Sequence, residues 1–229
     1  MGRAVATTLA VLGSVSVPLP LAAVEPGPCF DVAAGFDRPL HEPIALGGSG
    51  DRSLHGERPD GTHWAATRAV VDLPAGALLG KLRDHRNVKD MSRTVLEARR
   101  LPDPDYLELC HVDVDVTVKA LFVSLHVRWT EEWAYRLLAG SPERPDLVVA
   151  NYQKIAGTKH IVHQCGSYVI RRIDADRSDL FMYEEIRARR RSAEDTRNMH
   201  LGILRNIRED LWPLETDREP AHHVLLTAQ

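Results

Sequence analysis

The most regular hydrophobic pattern in the chain lies between Tyr106 and Ala120, where Val112, Val114, Val116 and Val118 alternate with Asp113, Asp115 and Thr117. A period of two puts the valines on one face of a strand and the polar residues on the other, so one face is buried and one is wet. The next run repeats the design, with Leu121, Val123, Leu125, Val127 and Trp129 alternating with Ser124, His126 and Arg128. Three further runs, LVVANYQKIAG from Leu147, KHIVHQCGSYVIRRID from Lys159 and SDLFMYEEIRARR from Ser178, are rich in β-branched and aromatic residues and are separated by Gly, Asp and Ser clusters. They read as consecutive antiparallel strands. TVLEARRL from Thr94 reads as another, joined to the valine-rich run by a turn through Pro102 and Pro104.

A different period appears at two places. THWAATRAVVD, a partly alternating strand, feeds LPAGALLGKLRD, where Pro74 suits a first helical turn and Leu78, Leu79 and Leu82 form a short apolar stripe. After the last strand, Met199, Ile203, Leu204, Ile207 and Leu211 recur at steps of three and four, the mark of an amphipathic helix. Ser192 with Asp195 three positions on is a capping box at its start, and Arg205 and Arg208 sit near its negative end. The apolar stripe needs a partner, and the sheet is the one available. The order is strand, short helix, five or six antiparallel strands, long helix, which predicts an α+β fold in which a curved antiparallel β-sheet wraps around a long C-terminal helix.

Composition narrows the function classes. The 229 residues carry 29 basic and 32 acidic side chains for a net charge of -3, which leaves no global electrostatic footprint for nucleic acid. The local run of Arg187, Arg189, Arg190 and Arg191 reads as a solvated face. Residues 1–23 hold a single charge, Arg3, then an apolar run ending in Ala22 and Ala23, and read as a secretory signal. Gly13, Pro18 and Pro20 interrupt that run, which is short of the about 20 apolar residues a spanning helix needs. The expected location is therefore periplasmic or secreted. Residues 24–61, with PGP, LGGSGD and ERPDG, have no sustained period and read as a Gly- and Pro-rich linker or loosely attached arm. Cys29, Cys110 and Cys165 allow one disulfide with three pairings; Cys110 and Cys165 lie in strand-like runs far apart and are expected as buried thiols, and without a CxxC spacing no thiol-redox or zinc role is supported.

The order of elements, with the residues that carry it, resembles the START-like superfamily, also called the helix-grip or polyketide cyclase-like (SRPBCC) group. The opening AVVDLPAGALLGKLRD, ending in Leu82 and Asp84, is similar to the family's first strand, Pro and helix. NVKDMSRTVLEAR is similar to its connector into the next strand, CGSYVIRRID with Gly166, Tyr168 and Ile170 to its Gly-x-aromatic-x-aliphatic strand, and SDLFMYEEIRARR with the helix after it to its last strand and grip helix. The family's Trp-x-Pro after the first helix is absent, with Lys89, Asp90 and Met91 in its place. The resemblance covers about Gly61 to Leu211, so 62–212 is the expected domain and 213–229 a tail. It implies a ligand cavity between sheet and C-terminal helix, with a hydrophobic small molecule or lipid as partner, transient membrane contact during loading, and no nucleic acid.

Within that frame the expected ligand-binding residues are Val112, Val114, Tyr152, Tyr168, Met182, Glu184, Ile186, Met199 and Ile203. Glu184 is the sharpest of them. If Met182 and Ile186 face the helix, Glu184 lies between them on the inner face, where a carboxylate is costly unless paired. The alternative is that Phe181 and Tyr183 mark the inner face and Glu184 is wet. A cyclase or dehydratase using Glu184, His126 and Tyr152 is the rival function, and a ribosome-associated interaction module is a third that requires a cytoplasmic chain. No catalytic residue, metal ligand or cofactor is assigned: no HExxH occurs, His160 and His163 point to opposite faces of a strand, and His222 and His223 lie in the tail.

Overall fold

The computed structural model describes residues 27–46, 50–85, 93–120, 123–189 and 191–209. In chain order the elements are β1 (Arg52–Glu57), β2 (His63–Val71), α1 (Ala75–Arg83), β3 (Arg93–Leu101), β4 (Glu108–Ala120), β5 (Val123–Gly140), β6 (Pro145–Gly157), β7 (Ile161–Arg172), β8 (Ser178–Ala188) and α2 (Ala193–Arg208). The strands form one eight-stranded antiparallel sheet in the order β1-β2-β8-β7-β6-β5-β4-β3. The opening hairpin therefore docks beside the last strand. The stretch 1–23 expected as a signal, Leu211 and the tail lie outside the described residues.

Each expected strand and both helices form, for the local reasons their sequences carry. Val112 and Val114 are fully buried while Asp113 and Asp115 point the other way, where Thr130 donates to Asp113 at 2.6 Å and His126 and Arg128 hold Asp115. On α2 the Ser192 hydroxyl accepts from the Asp195 backbone N–H at 3.1 Å and Asp195 accepts from the Ser192 N–H at 2.8 Å, a complete capping box. Ile203, Leu204 and Ile207 are buried and Met199 packs beside them. The helix rests on β2 and the edge strand β1, and Arg208 fastens its end to Asp51 at 2.7 Å and to the Val70 carbonyl at 3.1 Å. α1 covers the same face over β6 and β7 through Leu78, Leu79 and Leu82.

Two expectations need correction. The stretch 24–61 is no loose linker where it is described. Its last part is β1, paired to β2 through the turn Pro59-Asp60-Gly61, in which Gly61 takes φ 80° and its N–H donates to Arg58 at 2.9 Å. RSLHGE carries no clean alternation, since this short edge strand is held largely by its backbone pairing to β2, and the Pro-Asp-Gly turn was its one signal. The earlier part is a strap across the face opposite the helices. Phe36 and Ile44 pack with Ala66, Val149, Val169, Phe181 and Tyr183, while Phe30 and Val32 pack with Tyr106, Leu109 and Ala134. Ser167, Asn151, Gln153, Arg136 and Arg68 bond its backbone at Leu40, Arg38, Phe30, Phe36 and Ile44.

The second correction concerns the cysteines. Cys29 in the strap is joined to Cys165 in β7 by a disulfide spanning 136 residues, and Cys110 alone is a buried free thiol. Nothing in the spacing distinguished this pairing, because it depends on where the strap crosses the sheet. The strap also explains why β8 is buried on both faces from Ser178 to Glu184 rather than alternately. The unbroken apolar run Leu180-Phe181-Met182-Tyr183 is what a doubly covered strand looks like in sequence.

Two predictions follow from α2. Ile203→Asp places an unpaired charge against the sheet and should cost several kcal/mol; thermal melts would show it, and a midpoint within a degree or two of the parent would exclude the packing described. His200 is fully buried with Nδ1 3.2 Å from the Thr67 hydroxyl, and burial pushes its pKa down to about 3. The unfolded chain then takes up a proton near pH 6.5 that the folded chain refuses, so stability is fully present above that pH and falls as pH drops, by about 2 kcal/mol at pH 5. His200→Gln should flatten the stability profile between pH 7 and 5, and parallel profiles for the two proteins would contradict this account.

Candidate functional site

Register, more than any single element, assembles the chemistry on the helix-bearing face. One cross-strand row runs Ala65 on β2, Glu184 on β8, Gly166 on β7, Tyr152 on β6, Trp133 on β5 and Cys110 on β4. Glu184 is thus flanked by the two smallest side chains available. A Cβ at Gly166 would lie 2.5 Å from the Tyr152 ring and 2.3 Å from the Tyr183 carbonyl, so the glycine is what lets the tyrosine ring cross the strand here. The ring stacks on Trp133 with centroids 4.1 Å apart and planes 14° apart, and Tyr168 meets both edge-on at 5.4 and 5.9 Å. His85 closes on the other side of Trp133 at 4.8 Å.

A polar set sits inside this aromatic wall. Because β5 alternates, Trp129, Glu131 and Trp133 share one face, and the two indole N–H groups donate to Glu131 at 2.9 and 2.8 Å. The Gln164 amide N–H group reaches Glu131 at 3.3 Å and Glu184 at 3.1 Å, bridging two carboxyl groups that are both fully buried. Buried polar atoms on this face without a hydrogen-bond partner among the described residues include the Gln164 carbonyl oxygen and, on α2, His200 Nε2 and both amide atoms of Asn206. An unmade bond of this kind costs roughly 1–3 kcal/mol.

Two neighbouring groups, Cys110 and Tyr135, stay neutral near pH 7. Burial, reinforced by Glu108, pushes the Cys110 thiol up to about 12, so it is not a nucleophile. Burial also holds Tyr135 well above its ordinary value, and its hydroxyl donates to the Leu82 carbonyl at 3.1 Å. What the set can do is accept and donate hydrogen bonds in an apolar surround, and move a proton at a carboxyl oxygen.

Of the residues singled out in the sequence, Val112, Val114, Tyr152, Tyr168, Met182, Ile186 and Ile203 lie in one buried cluster with Met199 packed on it. Met182, Glu184 and Ile186 face the helices, and Phe181 and Tyr183 lie under the strap, which resolves the facing of β8. His126 is not part of this set. It is half exposed on the opposite face, 3.1 Å from Asp115. Sequence reading overlooked Glu131, Gln164 and Asn206, although Trp129-x-Glu131-x-Trp133 was a visible signal: strand alternation puts an acid between two indole donors. A surface depression of about 350 Å³ beside Pro74, Glu143 and Arg172 lies elsewhere and is lined by none of these residues.

No protein-family model matches the chain, and no curated protein matches it. Among solved structures it is similar to the lipid transfer and protein localization domain of human StarD13, with 11% identity over 80% of this chain and 93% of that one and a TM-score of 0.48. It is also similar to human STARD10, with 9% identity, 72% and 70% coverage and a TM-score of 0.48. A third similarity is to the Zhui aromatase/cyclase of a Streptomyces species, with 16% identity, 65% and 93% coverage and a TM-score of 0.41.

Glu131→Gln tests whether the acid is the hub of the polar set. The amide has one acceptor oxygen where the carboxylate has two, so one indole N–H is left facing a donor. The variant should lose about 1–3 kcal/mol and change tryptophan fluorescence. Unchanged stability and emission would mean that the indole bonds contribute nothing.

Proposed function

We propose that the chain binds a hydrophobic small molecule or lipid against the helix-bearing face of the sheet, with α2 as the gripping element over a curved sheet. The observation that carries this reading is the buried polar set of Glu131, Gln164 and Glu184, with Asn206 across from the sheet, embedded in an aromatic and aliphatic wall. A face built only for packing would be stable as plain hydrocarbon, whereas orphaned amide groups impose a cost that a ligand hydroxyl or carbonyl relieves. The contacts would come from Val112, Val114, Tyr152, Tyr168, Met182, Ile186, Met199 and Ile203, with Glu184 and Gln164 orienting the polar end. These side chains are packed, so loading requires α2 to move away from β1 and β2. Its attachments there suit such a motion, since the Arg208 pair is exposed. The Cys29–Cys165 disulfide supports an oxidising, exported location for the chain.

A second reading, a cyclase- or dehydratase-like enzyme, is favoured by one feature: two carboxyl groups bridged by a single amide beside two tyrosines, an arrangement able to hold and pass a proton. One experiment separates the two. Parent, Glu184→Gln and Val114→Trp are purified from cells, checked for fold by circular dichroism, and their bound molecules are identified by native mass spectrometry and solvent extraction. The carrier reading expects a hydrophobic ligand with the parent, its retention in Glu184→Gln, and its loss in Val114→Trp, where the larger side chain fills the site. Conversion of an added polyketide-like substrate by the parent, abolished in Glu184→Gln with binding intact, would replace it by the enzyme reading. A folded parent that carries nothing and takes up no fatty acid or polyketide probe would sink both.

A further inference from the structure

On the strap-covered face, one residue along each strand from the row just described, a second set of side chains converges. β7 places His163 and Cys165 two positions apart on the same face, and β8 places Glu185 directly opposite Cys165. The strap brings Cys29 over them, with its N–H donating to Gln153 at 2.9 Å. The His163 Nε2 atom lies 3.7 Å from the sulfur of Cys29 and 3.7 Å from that of Cys165. The Glu185 Oε1 atom lies 2.9 Å from His163 Nε2 and 3.6 Å from the Cys165 sulfur, and all four donors fall within 4.8 Å of one another.

These separations are the edges of a small tetrahedron. With Zn–S near 2.3 Å and Zn–N or Zn–O near 2.0–2.2 Å, tetrahedral donors stand about 3.3–3.8 Å apart. Both sulfur–nitrogen separations and the Cys165 sulfur–oxygen separation already match; the two sulfurs, which are bonded to each other, and the hydrogen-bonded His163 Nε2 and Glu185 Oε1, at 2.9 Å, would have to part. The surroundings resemble the support a metal ligand requires. Glu185 offers Oε1 to the set while its Oε2 is held by the Tyr183 hydroxyl at 2.8 Å and by Arg58 at 2.7 Å. Burial pushes the Glu185 carboxyl upward, but the bonds from His163 and Tyr183 and the Arg58 charge outweigh it and leave it below its ordinary value. His41 stacks on Tyr183 at 4.6 Å, which fixes that ring from the strap side.

We propose that Cys29, His163, Cys165 and Glu185 form a tetrahedral Zn²⁺ site in the reduced protein, so that the strap is tied to the sheet either by the disulfide or by the metal. The exchange balances with a dithiol as reductant. Its two thiols supply two electrons and two protons, the Cys29–Cys165 bond breaks to two thiols, and the reductant leaves as its own disulfide. Zn²⁺ then binds the two thiolates with release of their two protons, while the His163 proton that Nε2 gives to Glu185 shifts to Nδ1 and leaves Nε2 free for the metal. Two thiolates and a carboxylate leave the occupied site with one net negative charge, which faces Arg58. Oxidation reverses the sequence and expels the ion.

The test uses the full chain. Parent protein, oxidised or reduced with a phosphine that is then removed, is titrated anaerobically with Co²⁺ and afterwards with Zn²⁺. The reduced parent should develop the visible ligand-field bands of tetrahedral cobalt with a thiolate charge-transfer band, saturate at one ion per chain with release of two protons, and lose both bands on Zn²⁺ addition with no further proton release. The oxidised parent should show none of this. Reduced Cys29→Ser and reduced His163→Gln should lack the tetrahedral spectrum, Tyr183→Phe should bind roughly 10-fold more weakly, and His160→Gln should behave as the parent. Because the reduced chain or a variant could unfold, refolding of the reduced parent is followed in parallel with and without Zn²⁺, and the metal should restore the oxidised parent's circular dichroism. A reduced parent that gives no tetrahedral cobalt spectrum, a spectrum that survives Cys29→Ser, or refolding indifferent to Zn²⁺ overturns the proposal.

Discussion

Everything described depends on the pairing register of β5 through β8. Because side chains alternate, the pair Gly166 and Glu184 faces the helices while its neighbour, the pair Cys165 and Glu185, faces the strap. A slip of one residue would exchange the two faces. It would put the Cys165 and Glu185 side chains against α1 and α2 and Glu184 under the strap, and it would bury the wrong set throughout. The register is held on both sides at once. On one, the Gly166 gap admits only a ring lying flat, and Tyr152 fills it; on the other, Ser167 and Asn151 bond each other at 2.6 Å as they receive the strap.

Covering both faces changes the energetics of the sheet. A sheet with one wet face relies on the helices alone, and α2 here rests mainly on β2 and the edge strand β1. The strap adds a second apolar layer over β6 to β8, with its aromatic contacts Phe30 to Phe36 at 5.7 Å and Phe36 to Tyr106 at 5.6 Å. Its link at Cys29 closes a loop of 136 residues, which in the chain-entropy picture restrains the unfolded chain by about 4–5 kcal/mol. The strap is thus fixed strongly at one end, whereas the helix face is closed by packing and exposed ion pairs. Motion that admits a ligand is cheaper on the helix side.

The polar set on the helix face and the quartet under the strap share a physical logic. In each, a carboxyl group is committed by one or both oxygens to nearby donors: the indoles of Trp129 and Trp133, set by strand alternation, for Glu131, and Tyr183 on the same strand with Arg58 from the β1–β2 turn for Glu185. Buried polar groups so arranged are rigid and specific, and they mark where the fold departs from plain packing. They lie back to back across one sheet, so a change in the strap's attachment acts on the strands that carry Glu184 and Gln164.

By itself the sequence determined the strands from β2 to β8, both helices, the capping box of α2 and the valine face of β4, because those follow from local periodicity and capping chemistry within a few residues. It also placed Tyr152, Tyr168, Met182 and Ile186 as one apolar set, since alternation needs only the choice of which face is inner. The tertiary structure decided that choice for β8, where Phe181 and Met182 are equally apolar and local pattern is blind. It alone decided that Gln164 bridges Glu131 and Glu184, residues 33 and 20 positions away, and that Cys29 pairs with Cys165. The reason is common to all three: strand order and register set contacts between residues far apart in the chain, and the strap, which has no periodicity, takes its path from the surface it covers.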